Sequence, residues 1–555
     1  MNYIPISQKL TKQGATKRIF LPYGRCNSKS SFTFAINRRQ GKMGVRVRFA
    51  PSPTGPLHIG GLRTALYNYL LARQSNGTMI LRIEDTDQTR YVPGAEEYNL
   101  ESLKWAGINI DEGIGTGGPF SPYRQSERKP IYAKYAHLLI DKGYAYYGFD
   151  TEPDLEKMRE RLKSAGDDHQ QYNSTSRLQM RNSLTLGEKE VKEMLRANTP
   201  HVIRLKVPPD EELIVNDLIR GSIKVNSSQV DDKVLIKSDG MPTYHMANVV
   251  DDYLMKISHV IRGEEWLPSA PFHVLLYKYL GWEHEMPQFA HLPLLLKPNG
   301  EGKLSKRDAD QMGFPIFPLN WTDPRTAEVA KGFRESGYLP EALINFLAFL
   351  GWNPGTPQEI FSLSELTEAF SIDRIGKAGT KFDIHKAQWF NQQYLRAQSD
   401  EELSSYLLES LKAENIFCPK DKALKICAAM RERVTFPADL WNQGKFFFYA
   451  PTVFDQSVVL KKWNDDSIKV LRAFSEQIAT SPSITAEAAK ATLEGVTGRL
   501  GIATGKILQA LRVALTGGAS GPDLMMTMEI IGKEEVVNRI DFALSTLKIK
   551  VSSHD

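Results

Sequence analysis

Hydrophobic and polar residues alternate over residues 45–49 (Val-Arg-Val-Arg-Phe), a pattern typical of a half-buried strand. In the following residues 62–73, apolar side chains recur at helical spacing, beginning with Leu62 and Leu66. A further apolar run at 78–84 predicts a second strand. A strand, a helix and a strand in this order predict a parallel βαβ unit, and therefore an α/β domain.

The pattern then becomes less regular. Residues 88–145 are predicted to be mainly helical, whereas residues 146–240 are charged and mixed. Within the mixed region, residues 204–209 and 222–226 are predicted to be hairpin strands. This region therefore interrupts the α/β pattern.

The sheet is predicted to resume with strands at 244–252 and 258–262. From about residue 335 onward the chain is predicted to be helical almost throughout. Residues 339–350 and 382–391 carry dense apolar faces there. The α/β part is thus expected to be followed by an all-helical part.

The first strand and helix are joined by residues 50–61, which contain three prolines and three glycines. Such a turn is tight, and its backbone can approach a ligand closely. A helix that begins after it offers free N–H groups and a positive dipole end to a phosphate. His58 and Gly60 stand where the turn meets the helix. The alternative is a purely structural turn in which neighbouring groups satisfy His58.

Two polar segments are further candidates for a site. Glu84–Asp87 follows the second strand, and the carboxyl ends of parallel strands are where open α/β sheets bind ligands. Lys303–Arg307 (Lys-Leu-Ser-Lys-Arg) is a basic pentamer that follows a flexible turn. By themselves, both segments are equally compatible with solvated loops. Residues 501–507 are similar to a phosphate-binding loop but are one residue short and lack a hydroxyl after the lysine, so we predict a turn between helices.

The composition is that of a globular protein with several domains. The 555 residues are 41% hydrophobic and 24% charged, and no apolar run approaches the roughly 18–20 residues that span a bilayer. The three cysteines, Cys26, Cys418 and Cys427, form no disulfide framework or metal-ligand spacing, which fits a reducing compartment.

The net charge of +5 comes from the leader. Nine lysines and arginines and no acids lie in residues 1–43, so without them the net charge becomes −4. Overall charge therefore does not indicate a nucleic-acid partner. The leader has the composition of an organellar transit peptide. The alternative is a start site assigned too early, because Met43 stands directly before Gly44 and the first strand. We favour this alternative, since the first 42 residues lack a convincing amphipathic helix. In either case we expect a disordered segment outside the fold.

Residues 48–61 resemble the His-Ile-Gly-His signature of class I aminoacyl-tRNA synthetases. They match the form used by bacterial glutamyl-tRNA synthetases, in which Gly61 stands at the fourth position. Lys303–Arg307 resembles the Lys-Met-Ser-Lys-Ser loop of the same class, with variants at its second and fifth positions. Residues 244–266 also match the bacterial glutamyl enzymes. The resemblance runs from about Val45 to the C-terminus and is weakest beyond residue 400.

The resemblance implies an α/β plus all-α architecture. A Rossmann-like nucleotide-binding domain is interrupted by an α+β domain for the tRNA acceptor end and followed by a helical stem-contact module and a helical anticodon-binding bundle. The implied boundaries are a leader at 1–43, the two catalytic halves at 44–125 and 241–300, the insertion at 126–240, the stem-contact module at 301–395 and the bundle at 396–555.

The implied reaction joins L-glutamate to tRNA(Glu) in two steps, through a glutamyl-adenylate made from ATP. Whether tRNA(Gln) is also charged stays open. The catalytic residues carried over by motif are His58, Gly60, Lys303, Ser305 and Lys306. The ATP-binding residues are His58, Ile59, Gly60, Gly61, Lys303, Leu304, Ser305, Lys306 and Arg307.

The glutamate pocket carried over by motif consists of Arg48, Ala50, Ser52, Glu84, Tyr244, Asn248, Arg262 and Trp266. Arg48 and Arg262 are the candidates for the side-chain carboxylate, because a guanidinium fits a carboxylate bidentately and does not fit an amide. Glu84 is the candidate for the ammonium group. Arg262 is the sharpest discriminator, since glutaminyl enzymes place a small uncharged residue there.

The resemblance also carries expectations about cofactors and partners. Mg²⁺ should accompany ATP, held mainly by substrate oxygens and water. Some relatives bind zinc near the start of the insertion, but Gly148 and Asp150 stand where two of its cysteines would be, so we predict no protein-bound metal. A cytoplasmic monomer without membrane contact is expected, or a mitochondrial or plastid enzyme if the leader is a transit peptide.

Three alternatives share parts of the pattern. A truncated paralogue that glutamylates a modified tRNA base would lack the helical C-terminal half, and a small-molecule adenylyltransferase would not need it. A non-enzymatic RNA-binding relative would be expected to lose His58 or the paired lysines. Pyrophosphate exchange separates the adenylyltransferase, which would not require glutamate, and the binding protein, which would show no exchange.

Overall fold

The computed structural model describes residues 44–167 and 169–547. The predicted leader lies outside the described residues. Within those residues, no helix combines the length and the apolar composition that crossing a membrane requires.

The described residues begin with the predicted βαβ unit, which is confirmed. Strand β1 (Arg46–Phe49), helix α1 (Ile59–Gln74) and strand β2 (Thr78–Leu81) are followed by α2 (Ala95–Trp105) and β3 (Glu112–Gly113). The three strands are parallel in the order β1-β2-β3. Val47 and Phe49 bury one face of β1 in the core under α1, because alternate strand residues point to the same side.

The next part of the chain contains two antiparallel groups of strands. Its elements are α3 (Lys129–Asp141), β4 (Ala145–Gly148), α4 (Glu152–Ser164), α5 (Glu188–Arg196), β5 (Val202–Leu205), β6 (Glu212–Asp217), β7 (Gly221–Asn226) and β8 (Val234–Ile236). Strands β4, β5 and β8 form one sheet, and β6 and β7 form a hairpin.

The hairpin prediction is correct for residues 222–226 and wrong for residues 204–209. The latter overlap β5, which pairs with β4 and β8 and not with a neighbour joined by a tight turn. Strand β5 ends at Leu205, ahead of Pro208, which lacks the N–H that a central strand donates.

The following elements are α6 (Tyr244–Leu254), β9 (His259–Gly263), α7 (Ala270–Leu280) and β10 (Gln288–Leu292). The strand predicted at 258–262 is confirmed, but the strand predicted at 244–252 is wrong, because this segment is helix α6. Its buried Met246, Val249 and Val250 also fit helical spacing. Asp252 is buried on the same helix and pairs with Arg48 on β1 and with Arg82 directly after β2. Ion pairs with residues distant in sequence thus stabilise this short apolar segment as a helix.

Strands β9 and β10 are parallel and form a sheet in the order β7-β6-β10-β9. Ser258 is the residue before β9. Its N–H donates to the Arg46 carbonyl and its hydroxyl accepts from the Arg46 N–H, which places β1 beside β9. The two sheets therefore meet at β1 and β9, where the strand order reverses. One face of the joined sheet packs under α1 and the other under α3, α6 and α7. In open α/β sheets this reversal is the ligand-binding position.

The segment that follows contains β11 (Leu295–Leu296), α8 (Lys306–Met312), β12 (Trp321–Thr322), β13 (Val329–Ala330), α9 (Pro340–Ala348), α10 (Leu363–Ala369), β14 (Thr380–Lys381) and α11 (Ile384–Ala397). Helix α9 packs against α1 and α11 in the same core as β1. This segment is therefore continuous with the α/β part.

The remaining described residues form only helices, as predicted. They are α12 (Asp400–Ala413), α13 (Lys420–Met430), α14 (Asp439–Asn442), α15 (Gln456–Lys462), α16 (Asp465–Thr480), α17 (Ala486–Arg499), α18 (Leu508–Thr516), α19 (Leu524–Ile531) and α20 (Lys533–Thr546), with short 3₁₀ turns between some of them. Residues 501–507 connect α17 and α18, which confirms the predicted turn. Cys418 and Cys427 are free and buried in this part.

Candidate active site

A cavity of about 450 Å³ opens at the carboxyl ends of β1 and β9. The predicted site residues that line it are Arg48, Ala50, Ser52, His58, Gly60, Gly61, Glu84, Tyr244, Arg262, Trp266, Lys303, Leu304 and Ser305. The two sequence signatures and the predicted glutamate pocket therefore share one cavity.

His58 is the N-cap of α1. Its Nδ1 accepts a hydrogen bond from the Gly60 backbone N–H at 3.0 Å. Burial, and secondarily the nearby Lys303, lowers the pKa of His58 to about 4. The ring is therefore neutral with its proton on Nε2, which is buried and has no partner among the described residues. His58 can thus offer an N–H to a ligand in the cavity.

The two glycines at the start of α1, Gly60 and Gly61, are closely packed. A Cβ on Gly61 would lie 2.6 Å from Leu57 Cδ1, and one on Gly60 would lie 3.3 Å from His58 Nδ1. Both glycines line the cavity, where the lack of a side chain leaves the backbone at the start of α1 accessible to a ligand. Free N–H groups at this helix end favour an anion.

The basic loop enters the cavity through its first three residues. Leu304 is buried and its N–H donates to the Leu295 carbonyl, which anchors the loop to β11. Ser305 forms a capping box with Asp308 at the start of α8. The exposed Lys303 Nζ lies 2.8 Å from Glu265 Oε1. The loop thus holds the Lys303 ammonium group at the cavity, where it is paired with the Glu265 carboxylate.

A buried ion cluster supports the opposite wall. Glu84 Oε1 accepts hydrogen bonds from Arg82 at 2.9 Å and from Asn248 at 3.0 Å. Asp252 accepts from Arg82 at 2.8 Å and from Arg48 Nε at 3.1 Å. Burial alone would raise the pKa of Asp252, but the two arginines outweigh it and hold the pKa below its usual value. Asp252 therefore stays ionised and orients Arg48.

Arg262 forms the far end of the cavity. Its Nη1 donates to the Tyr244 hydroxyl at 2.9 Å and its Nη2 donates to the Trp266 carbonyl at 3.3 Å. The rings of Tyr244 and Trp266 lie 4.3 Å apart between centroids. Arg262 as a whole is 5% exposed, so it can bind a carboxylate away from bulk water.

Four predicted site residues do not line the cavity. Asn248 acts behind Glu84, and Ile59 is buried in the core under α1. Lys306 lies 3.3 Å from Glu328, and Arg307 is exposed on α8. They are near the site without contributing to its wall in this conformation.

Several lining residues were not predicted, among them Arg63, Thr64 and Glu265. Buried Arg63 donates to the backbone carbonyls of Pro293 and Leu350, which ties α1 to distant segments. A signal for such residues existed in the sequence, because an arginine within an apolar helix face needs a buried partner. The identity of that partner was not readable from the sequence.

Comparisons with known proteins agree with this geometry. Residues 44–389 match the family model described as tRNA synthetases class I (E and Q), catalytic domain, and residues 398–544 match the anticodon binding domain. The chain is 60% identical over 510 residues to the glutamate–tRNA ligase of Cytophaga hutchinsonii, covering 92% of this chain and 99% of that protein. It is 52% identical over 513 residues to that of Porphyromonas gingivalis, covering 92% of this chain and 100% of that protein.

Solved structures give the same result. The crystal structure of a glutamate tRNA ligase from Elizabethkingia meningosepticum in complex with its amino acid is 50% identical, with a TM-score of 0.87 over 91% of this chain and all of that one. The glutamate-tRNA synthetase from Elizabethkingia anophelis is also 50% identical, with a TM-score of 0.85 and the same coverage. With both signatures in one cavity and a helical C-terminal part, the chain belongs to the glutamate–tRNA ligases of the class I aminoacyl-tRNA synthetase family.

Proposed function

We propose that this chain charges tRNA(Glu) with L-glutamate in two steps. In the first, an oxygen of the glutamate α-carboxylate bonds to the α-phosphorus of ATP, and the bond to the bridging oxygen breaks to release diphosphate. In the second, the 2′-hydroxyl of the terminal tRNA ribose attacks the acyl carbon of the adenylate, forming the ester and releasing AMP and a proton. One observation carries the proposal: carboxylate-binding and phosphate-binding groups line the same cavity.

The first step needs no protein base, because the attacking carboxylate is already ionised at neutral pH. It requires positioning and charge stabilisation instead. We assign the phosphates to the end of the cavity where α1 begins. His58 Nε2–H and the free N–H groups of α1 can donate there. Lys303 and Ser305 can close over the phosphates from the opposite loop. We propose that Lys306 joins them after its exposed pair with Glu328 opens, since such pairs are weak.

We assign the amino acid to the end of the cavity beside β9. Arg48 and Arg262 bind the side-chain carboxylate, and Glu84 holds the ammonium group. Glutamine would present an amide NH₂ group to the same N–H donors. The donors facing that NH₂ group would then lack an acceptor, and this loss of hydrogen bonds disfavours glutamine. Ala50, Ser52, Tyr244 and Trp266 complete the walls, and Asn248 keeps Glu84 in place.

We propose Mg²⁺ as a companion of ATP and no zinc. No cluster of three or more His, Cys, Asp or Glu side chains that could hold a metal lies within residues 44–167 and 169–547. Mg²⁺ would therefore be held mainly by substrate oxygens and would neutralise triphosphate charge. Where some relatives hold zinc, Asp150 instead accepts hydrogen bonds from the Tyr172 hydroxyl at 2.9 Å and the Arg181 N–H at 2.7 Å. That segment is closed by hydrogen bonds and does not offer a ligand set.

The remaining parts are proposed to bind the tRNA. We assign the insertion at 126–240 to the acceptor end, residues 301–395 to the stem and residues 396–555 to the anticodon. The catalytic halves are then 44–125 and 241–300, although hairpin β6–β7 of the insertion extends the second half's sheet. We propose a cytoplasmic monomer, as the resemblance to the bacterial enzymes implies.

The test is charging of purified tRNA(Glu) and tRNA(Gln) by the full chain with radiolabelled glutamate, together with glutamate-dependent exchange of diphosphate into ATP. We expect exchange and charging of tRNA(Glu). Charging of tRNA(Gln) as well would mean that the anticodon part does not discriminate between the two. Exchange without glutamate, or no charging of either tRNA by the folded chain, would contradict the proposal.

A further inference from the structure

Three buried residues connect neighbouring strands behind the glutamate end of the cavity. Asp217 is the last residue of β6, His291 lies on β10 and Arg262 lies on β9, in a sheet ordered β6-β10-β9. His291 is directly opposite Arg262 in the register of the two parallel strands. All three side chains are at most 5% exposed. Only Arg262 lines the cavity among them.

Asp217, His291 and Arg262 form a row across the three strands, and the directions of the hydrogen bonds along this row are fixed. Arg262 Nε can only donate, so His291 Nε2, at 3.0 Å, must accept. The ring proton of the neutral imidazole is then on Nδ1, which donates to Asp217 Oδ2 at 2.6 Å. Burial lowers the pKa of His291, which favours this neutral form. A protonated ring would have no lone pair for Arg262.

Asp217 is itself held by the backbone. Its Oδ1 accepts hydrogen bonds from the N–H groups of Ile219 at 2.9 Å and Arg220 at 2.8 Å, and its Oδ2 accepts one from the His291 N–H at 3.1 Å. Burial alone would raise the pKa of Asp217, but the hydrogen bonds from His291 and from these backbone groups hold it below its usual value. A carboxylate fixed in this way cannot rotate with the imidazole, so it determines the plane of the ring.

The row decides how Arg262 faces a ligand. With Nε bonded to His291 and one N–H of each terminal nitrogen bonded to Tyr244 or Trp266, the guanidinium is held on three sides. Each terminal nitrogen retains one N–H, and such a pair suits two oxygens of one carboxylate. Loss of the Nε bond would free the guanidinium to turn about its stem.

We propose that Asp217 and His291 are positioning residues that hold the guanidinium plane of Arg262 and thereby set the preference for a side-chain carboxylate over an amide. The inference rests on the proposed role of Arg262 in glutamate binding. Neither residue touches the substrate, so they act on affinity and selectivity for the amino acid and leave the phosphate end of the cavity unchanged.

The test is diphosphate exchange by the full chain carrying His291→Leu, with glutamate, glutamine and ATP each varied. We expect the KM for glutamate to rise roughly 10-fold to 100-fold, the range given by a buried hydrogen bond to a charged group. The ratio of kcat/KM for glutamate to that for glutamine should fall by a similar factor, while the KM for ATP stays within about two-fold. His291→Gln should restore most of the loss, because an amide can accept from Nε and donate to Asp217.

A matched control is His259→Gln on the same strand as Arg262. His259 Nδ1 bonds to Ser258 and not to the arginine, so this variant should keep all three parameters. If His291→Leu fails to fold, Asp217→Asn carries the same expectation of a raised KM for glutamate alone. The inference is overturned if a folded variant loses kcat while the KM for glutamate and the glutamate/glutamine ratio stay unchanged. Absence of glutamate-dependent exchange in the unmodified chain would instead overturn the proposed function.

Discussion

Lys303 and Glu265 form an ion pair at the mouth of the cavity, with Nζ 2.8 Å from Oε1. Burial alone would raise the pKa of Glu265, but the hydrogen bond and charge of Lys303, a backbone hydrogen bond and the charge of Arg63 together hold the pKa below its usual value. Glu265 therefore competes as an anion with the phosphates that Lys303 is proposed to bind. The loop lysine has to exchange one anionic partner for another when ATP arrives.

Glu265→Gln is expected to lower the KM for ATP in diphosphate exchange, because Lys303 no longer has to leave a carboxylate. Both side chains are about half exposed, at 57% and 42%, so the pair is worth at most about 1 kcal/mol and the change should not exceed roughly five-fold. Glu328→Gln, which frees Lys306, should shift the KM for ATP in the same direction. The matched control is Glu101→Gln, whose surface pair with Arg334 lies outside the cavity and whose loss should leave the KM unchanged. A raised KM for ATP in Glu265→Gln would mean that Glu265 itself assists the reaction.

His58→Asn is expected to separate the two roles of His58. Asparagine is a good N-cap, so helix α1 should keep its start and the midpoint of thermal unfolding should change little. The N–H offered to the phosphates is lost, which should lower kcat for exchange roughly 100-fold. Alanine at the same position should lower kcat similarly and also cost about 1 kcal/mol of stability. Full activity of the asparagine variant would contradict the assigned donor.

Stability is expected to fall as the pH is lowered from about 6.5 toward 4. Burial lowers the pKa of His58 and His245 to about 4, so each stays neutral in the folded chain while it becomes protonated in the unfolded chain. The unfolded state then binds more protons, and each such histidine costs about 1.4 kcal/mol per pH unit in this window. Thermal unfolding midpoints at pH 7.5, 6.5 and 5.5 test this. The decrease in the unfolding midpoint per pH unit should be smaller in His245→Gln than in the unmodified chain. Equal decreases in the two chains would contradict this explanation.

Asp252→Asn is expected to destabilise the chain by about 3 kcal/mol or more, because it leaves buried Arg48 and Arg82 without a shared anion. Denaturant unfolding is the measurement, with Glu101→Gln as the control. Glu101 pairs with Arg334 on the surface and is 57% exposed, so its loss should cost less than about 1 kcal/mol. A similar cost for both variants would refute the argument that burial distinguishes them.

Purified chain is expected to contain no stoichiometric zinc, because Asp150 is engaged by hydrogen bonds where some relatives hold the metal. Elemental analysis tests this directly. Treatment with a zinc chelator, followed by restoration of Mg²⁺, should leave charging activity unchanged. One zinc ion per chain would contradict the prediction.

The local part of the site was predictable from the sequence. Prolines and glycines between an alternating segment and a helical one fix the turn that carries His58, because few residue types tolerate such a backbone. The carboxylates after β2 also fell where parallel-strand topology puts ligands. The pentamer at Lys303 was recognised by its resemblance to a loop of the family. These features depend on neighbours in the chain, and so they can be read from it.

The rest depends on partners far away in sequence. Residues 244–252 are helical although their short apolar run also resembled a strand. Buried Asp252 of this helix pairs with Arg48 on β1 and with Arg82, the residue directly after β2. The row that ends at Arg262 begins at Asp217, which belongs to a hairpin whose sheet partner was not predictable. Spacing alone does not reveal which distant charge neutralises a buried one.

The junction of β1 with β9 has a kinetic consequence. Arg46 meets Ser258 across 212 residues, whereas it pairs with Thr78 in the nearby β2. Closing the longer loop from an unfolded chain costs about 2 kcal/mol more in conformational entropy. The βαβ unit should therefore form early during folding, and the cleft between β1 and β9 should be completed late. Ligands that bind there stabilise only the finished cleft, so glutamate and ATP should slow unfolding more than they speed folding.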